Sequence, residues 1–167
     1  MTTRDTFLAE AAKRILITDG AFGTEIQNWK LDEAAYAGTL GLSHAGYGAV
    51  DHERETILID QGWTAPGLPS IGGRHGFRDY GSYIEALKGG HAVIIDDVTG
   101  DPRTASDAGA LAAIHVRSLL NLPLMEHGRF VAMLYALKDV PYAWKPEEIS
   151  FANNIADRTR AALARIE

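Results

Sequence analysis

The chain has 167 residues, 46% hydrophobic and 23% charged, with 16 Lys and Arg against 22 Asp and Glu, a formal net charge of -6 and no cysteine. This is the profile of one soluble globular domain, long enough to bury a core without help from a metal or disulfides. The missing thiols exclude disulfides, Cys-based zinc and iron-sulfur sites, a thiol nucleophile and a cysteine-linked chromophore, and the acidic balance argues against nucleic acid as a partner.

Met1 to Glu10 is polar and mixed in charge, which is not the pattern of a signal peptide. No apolar run approaches the ~20 residues of a membrane span, so no membrane partner and a cytoplasmic location are expected. Leu42 to Val50 and Glu55 to Trp63 read as two strands of a hairpin around the polar turn 51–54. Thr64 to Asp79, with Pro66, Gly67, Pro69, Gly72, Gly73 and Gly76, is a long loop by composition. Tyr80 to Lys88 has apolar residues at helical spacing, and Gly89-Gly90 follows as a stop.

Ala92 to Ile95 reads as a short strand, and Thr104 to Ile114 is helical, with Thr104 or Ser106 available as cap. Val116 to Met125, a tight turn at Glu126 to Gly128, and Arg129 to Leu137 form a second antiparallel hairpin. A last helix starts at Pro146, whose ring suits a first helical position, with Glu147 and Glu148 complementing the helix dipole. Along it Ile149, Ala152, Ala156, Thr159, Leu163 and Ile166 make a seam at spacings of three and four, suited to packing on the sheet or to dimerisation. The expected architecture is α+β: a central antiparallel sheet of about five or six strands with helices on both faces.

From Leu40 onward this order, with Leu40-Gly41, Trp63, Tyr80, "VIIDDVTGDPR" (Val93 to Arg103), "HVRSLLNLPLMEHGRFVAMLYAL" (His115 to Leu137) and "WKPEEISFANNIADRTRAAL", resembles the GAF domains of bacterial sensor histidine kinases and phytochrome-like proteins. The beginning resembles a different family. "RILITDGAFGTEIQNWKLDEAAYAG" (Arg14 to Gly38), with the core Asp19 to Thr24, is similar to the start of cobalamin-dependent methionine synthase, and the likeness runs to about His44. The chain therefore reads as a fusion, with a leader at 1–39 and a GAF domain at 40–167. Methyl transfer is excluded on chemical grounds: a (β/α)₈ barrel typically needs ~250 residues, and the zinc of that family is held by cysteines that this chain lacks. The leader is expected to pack on the GAF sheet, with Leu31 to Leu40 as a helix.

Six histidines, at 44, 52, 75, 91, 115 and 127, include no pair at the i, i+4 spacing of a zinc helix. Asp96, Asp97 and Asp101 lack the spacing of a calcium loop and read as turn and cap residues. The GAF resemblance implies a ligand cavity between the sheet and the helices and loop on one face. Its candidate lining by position is Phe77, Tyr80, Tyr83, Ile84, Ile94, Leu111, His115, Arg117, Leu119 and Asn121, with His75 on a flap above it. Regular alternation places Arg117, Leu119 and Asn121 on one face.

The function implied is noncatalytic sensing of an unknown small molecule, relayed through the terminal helices as in two-component signalling. A homodimer through those helices is expected, with a kinase output domain in trans or beyond this sequence. No cofactor is expected, and noncovalent bilin or haem is the specialised variant. The competing readings are an inactive homocysteine methyltransferase fragment and a purely structural dimerisation module.

Overall fold

A computed structural model describes residues 41–59 and 62–164. The expected leader at 1–39 and its helix lie outside the described residues, as do the side chains of Leu163 and Ile166 in the terminal seam.

One antiparallel sheet organises the fold. Its strands are β1 (His44–Asp51), β2 (Thr56–Ile59), β3 (Gly62–Thr64), β4 (Gly73–Gly76), β5 (Val93–Ile95), β6 (Ser118–Glu126) and β7 (Arg129–Lys138). The spatial order is β4-β2-β1-β7-β6-β5, with β3 also paired to β1. Between β4 and β6 lie a short helix α1 (Ile84–Lys88), a 3-10 turn (Ala105–Asp107) and α2 (Ala108–Ala113), and the long α3 (Pro146–Ala164) follows β7. The α+β architecture is as expected, with seven strands rather than five or six. Beyond the five strands read from the sequence, the Glu55 to Trp63 run supplies two, β2 and β3, each paired to β1, and β4 lies inside the stretch whose Gly and Pro content reads as loop; it pairs with β2 from Thr56↔Gly76 to Ile59↔Gly73.

Local chemistry sets the turns. Two residues, His127 and Gly128, join β6 to β7, both at positive φ (50° and 76°), as a type I′ hairpin turn requires. Helix α1 ends in a Schellman motif: Gly90 takes φ +85°, its N–H donates to the Leu87 carbonyl, and the His91 N–H donates to the Ala86 carbonyl. At the start of α3 the Glu148 carboxylate accepts from the Lys145 N–H at 3.1 Å and from the Tyr142 hydroxyl at 2.6 Å. This is half of a capping box.

Two cores flank the sheet. On one face Leu42, Tyr47, Leu120, Leu122, Leu124 and Leu134 pack with Trp144, Ala152 and Ala156. The described part of the terminal seam is thus used within the chain: Ala152, Ala156 and Thr159 are buried and Ile149 packs against the same cluster. The segment between β7 and α3 also closes the β5 edge. The Tyr142 N–H donates to the Asp96 carbonyl at 2.9 Å and the Trp144 indole to the Ile95 carbonyl at 3.4 Å, removing unpaired backbone that would invite another strand. On the other face Ile84 and Leu87 of α1, Leu111 of α2 and Val98 pack on Leu119, Phe130 and Met133. Each such fully buried aliphatic side chain contributes about 1.5–3 kcal/mol.

Candidate functional site: a cavity between the sheet and its short helices

The second core is not filled. A cavity of about 60 Å³ opens between the sheet and the segment from Ile71 to Val116. Its floor is Ile57 and Ile59 of β2, Leu119 and Asn121 of β6, and Met133, Tyr135 and Leu137 of β7. Its roof and walls are Ile71, His75, Gly76, Phe77, Tyr80, Tyr83, Ile84, Leu111, Ile114 and Val116. The space corresponds to about four to six water-sized sites, room for one small ring system.

Beside the cavity β1 presents glycines to this face, and side chains of the neighbouring strands occupy the room above them. A Cβ on Gly46 would lie 2.8 Å from the Tyr135 hydroxyl oxygen, and Gly48 likewise accommodates Ile57. Glycine inside a strand permits such close approach.

Polar groups are few. Asn121 is 2% exposed, and its Oδ1 is buried with no hydrogen-bond partner. At the mouth, the His75 Nε2–H donates to the Ile71 carbonyl at 2.7 Å. The other ring nitrogen, Nδ1, thereby accepts the Tyr80 hydroxyl proton at 2.6 Å in the neutral ring, which ties β4 to the entry of α1. Burial pushes the Tyr83 and Tyr135 hydroxyls well above their ordinary range, and to a smaller degree that of Tyr80, so all three stay protonated at neutral pH. No Asp, Glu, Lys or Arg is among the lining residues.

Seven of the ten residues named from the sequence meet around this cavity: Phe77, Tyr80, Tyr83, Ile84, Leu111, Leu119 and Asn121. His75 joins them at the mouth. The other three lie elsewhere. Ile94 pairs with Leu120 and packs with it on the α3 face. His115 is exposed, at φ +61° beyond the end of α2, and its flanking residues Ile114 and Val116 line the cavity instead. Arg117 stands one residue before β6, where its guanidinium pairs with Asp97 at 3.3 Å. A guanidinium in an apolar cavity would pay a large desolvation cost, and the surface carboxylate avoids it. Sequence reasoning missed the floor residues Ile57, Ile59, Met133, Tyr135 and Leu137, although strand alternation from Leu119 across the hairpin register could have found Tyr135 and Leu137.

The acidic residues act as expected in turns. Asp97 Oδ1 accepts from the Thr99 N–H and hydroxyl at 3.0 and 2.7 Å, and Asp101 binds the Arg103 backbone N–H and guanidinium at 2.8 Å. Among the described residues no cluster of His, Asp and Glu could hold a metal, and no described helix is long and apolar enough to cross a membrane.

Comparison with known proteins agrees with this geometry. The blue-light absorbing form of the PixJ GAF domain from Thermosynechococcus elongatus superposes with a TM-score of 0.72 at 17% identity, covering 99% of this chain and 90% of that one. A phycoerythrobilin-bound GAF domain from a cyanobacterial phytochrome gives 0.69 at 15% identity, covering 98% and 94%. The free methionine-R-sulfoxide reductase of Neisseria meningitidis, in complex with its substrate, gives 0.59 at 18% identity, covering 98% and 87%. No curated protein matches the sequence. The bilin-bound likeness raises the question of a chromophore here. This cavity is far smaller than an open-chain tetrapyrrole and offers no basic side chain for its propionates, so the conformation described does not fit that group. The family model of the GAF domain matches residues 12–163, and the chain belongs to the GAF domain family.

Proposed function

We propose that this GAF domain is a noncatalytic sensory module that takes up a small molecule in the cavity above β6 and β7 and transmits its occupancy to α3. The observation that carries this reading is an apolar cavity with a buried polar side chain on its floor, Asn121, whose Oδ1 has no partner. A mainly apolar concavity with a few orienting polar atoms is how small-molecule sites are built. Thiol chemistry of any kind is unavailable to a chain without cysteine, which favours binding over redox catalysis. In a two-component setting, α3 would pass the change to an output domain such as a kinase, in trans or in a longer chain, with dimerisation through the terminal helices as the means of transmission.

Thermal-shift screening of the full chain against purines, amino acids, cyclic nucleotides and neutral aromatics tests this. A true ligand at about 100 times its Kd stabilises by about 2.7 kcal/mol. Indifference to every class would favour a structural dimerisation module, and visible absorbance of the purified protein would bring a bilin or haem back.

A further inference from the structure

We infer that the cavity selects a small, uncharged aromatic molecule bearing one N–H or O–H donor, of the size of indole or phenol, with Asn121 Oδ1 as the group that reads the donor; this rests on the sensory-cavity reading above. Three observations converge on the class.

Size comes first. A cavity of about 60 Å³ holds a single or fused ring and excludes nucleotides and tetrapyrroles.

Charge comes second. No Asp, Glu, Lys or Arg lines the space, and both ring nitrogens of His75 are already engaged, by Ile71 and Tyr80. A carboxylate, phosphate or ammonium entering here would lose its water without gaining a counter-charge, a cost of several kcal/mol per ion. Free amino acids and aromatic acids are therefore excluded although their rings would fit.

Polarity comes third. Asn121 is buried and its carbonyl oxygen has no partner. An acceptor stranded in an apolar site favours a ligand that brings a donor, because the ligand removes a penalty already present in the empty protein. The aromatic walls, Phe77, Tyr80 and Tyr83, suit a flat ring.

Titration calorimetry of the full chain with indole, 1-methylindole and indole-3-carboxylate tests this. Indole should bind about three- to tenfold more tightly than 1-methylindole, the range expected for one hydrogen bond, and the anion should not bind. In Asn121→Leu the preference for indole should vanish while 1-methylindole still binds, which also shows that the variant is folded. Equal binding of the two neutral probes to the unaltered chain, persistence of the preference in Asn121→Leu, or tight binding of the anion would overturn the assignment of class while leaving a ligand cavity in place. If no probe bound and a wider panel of neutral and charged small molecules also failed, the sensory-cavity reading would fall with it.

Discussion

The hydroxyl of Tyr47 on β1 lies 2.6 Å from Thr159 Oγ1 on α3, in a buried contact. Thr159 donates in turn to the Ile155 carbonyl at 2.9 Å, so Tyr47 is the donor of the pair. Tyr47 stands opposite Leu134 of β7, between Met133 and Tyr135, which face the cavity from the other side of the same strand. A sheet one layer thick therefore links the cavity floor to the terminal helix. Tyr47→Phe should lower stability by about 1 kcal/mol and Tm by about 2–4 °C, and it should weaken any ligand-induced change at α3 with little effect on affinity. Unchanged signalling to α3 in this variant would assign the relay to other contacts.

Asn121→Leu should raise the thermal stability of the ligand-free protein. Removing a buried acceptor without a partner recovers about 1–3 kcal/mol, equivalent to several degrees in Tm for a domain of this size. Differential scanning calorimetry checks this, and a loss of stability would mean that Asn121 is already satisfied in solution.

Gly46→Ala should destabilise by about 1–3 kcal/mol through overpacking against the Tyr135 hydroxyl. Tyr135→Phe, which removes that oxygen, should recover part of the loss. Denaturant unfolding of the single and double variants measures the coupling.

Acid should weaken the fold through Asp97 and Asp101. Hydrogen bonds from the Thr99 side chain and N–H, then Arg117, hold Asp97 below the usual carboxylate range, and the Arg103 side chain does the same for Asp101. Because the folded values are depressed, the stabilisation is complete above the unfolded carboxylate value of about 3.9 and is lost as pH falls through the folded ones. Tm should be flat from neutrality to about pH 5 and drop below about pH 4. Asp101→Asn should cost at most about 1 kcal/mol at neutral pH, a difference that shrinks in acid.

Long-range order was written most plainly where local signals agreed. The β6–β7 hairpin combines two apolar runs with a His-Gly turn and lies within two residues of its expected bounds, whereas α1 stops at Lys88 before Gly89-Gly90 as expected but starts at Ile84 rather than Tyr80. β4 was hidden because Gly73 and Gly76 carry no side chains to alternate; its partner β2, not its composition, makes it a strand. Ile94 was misplaced because a strand of three residues cannot declare its buried face. Only the register with Leu120 does so. Arg117 escapes the alternation because it stands one position before the strand, beside an available carboxylate. The cavity itself is legible only as a family resemblance, since an unfilled volume depends on how side chains of β2, β6 and β7 meet those of the Ile71 to Val116 segment.

The most direct measurement is amide NMR of the full chain titrated with indole. The account predicts saturable shifts at Leu119, Asn121, Met133 and Tyr135, accompanied by shifts near Thr159 on the opposite face. No saturable shift with indole or with any molecule of the wider panel, or shifts confined to the exposed surface, would contradict a ligand cavity coupled to α3.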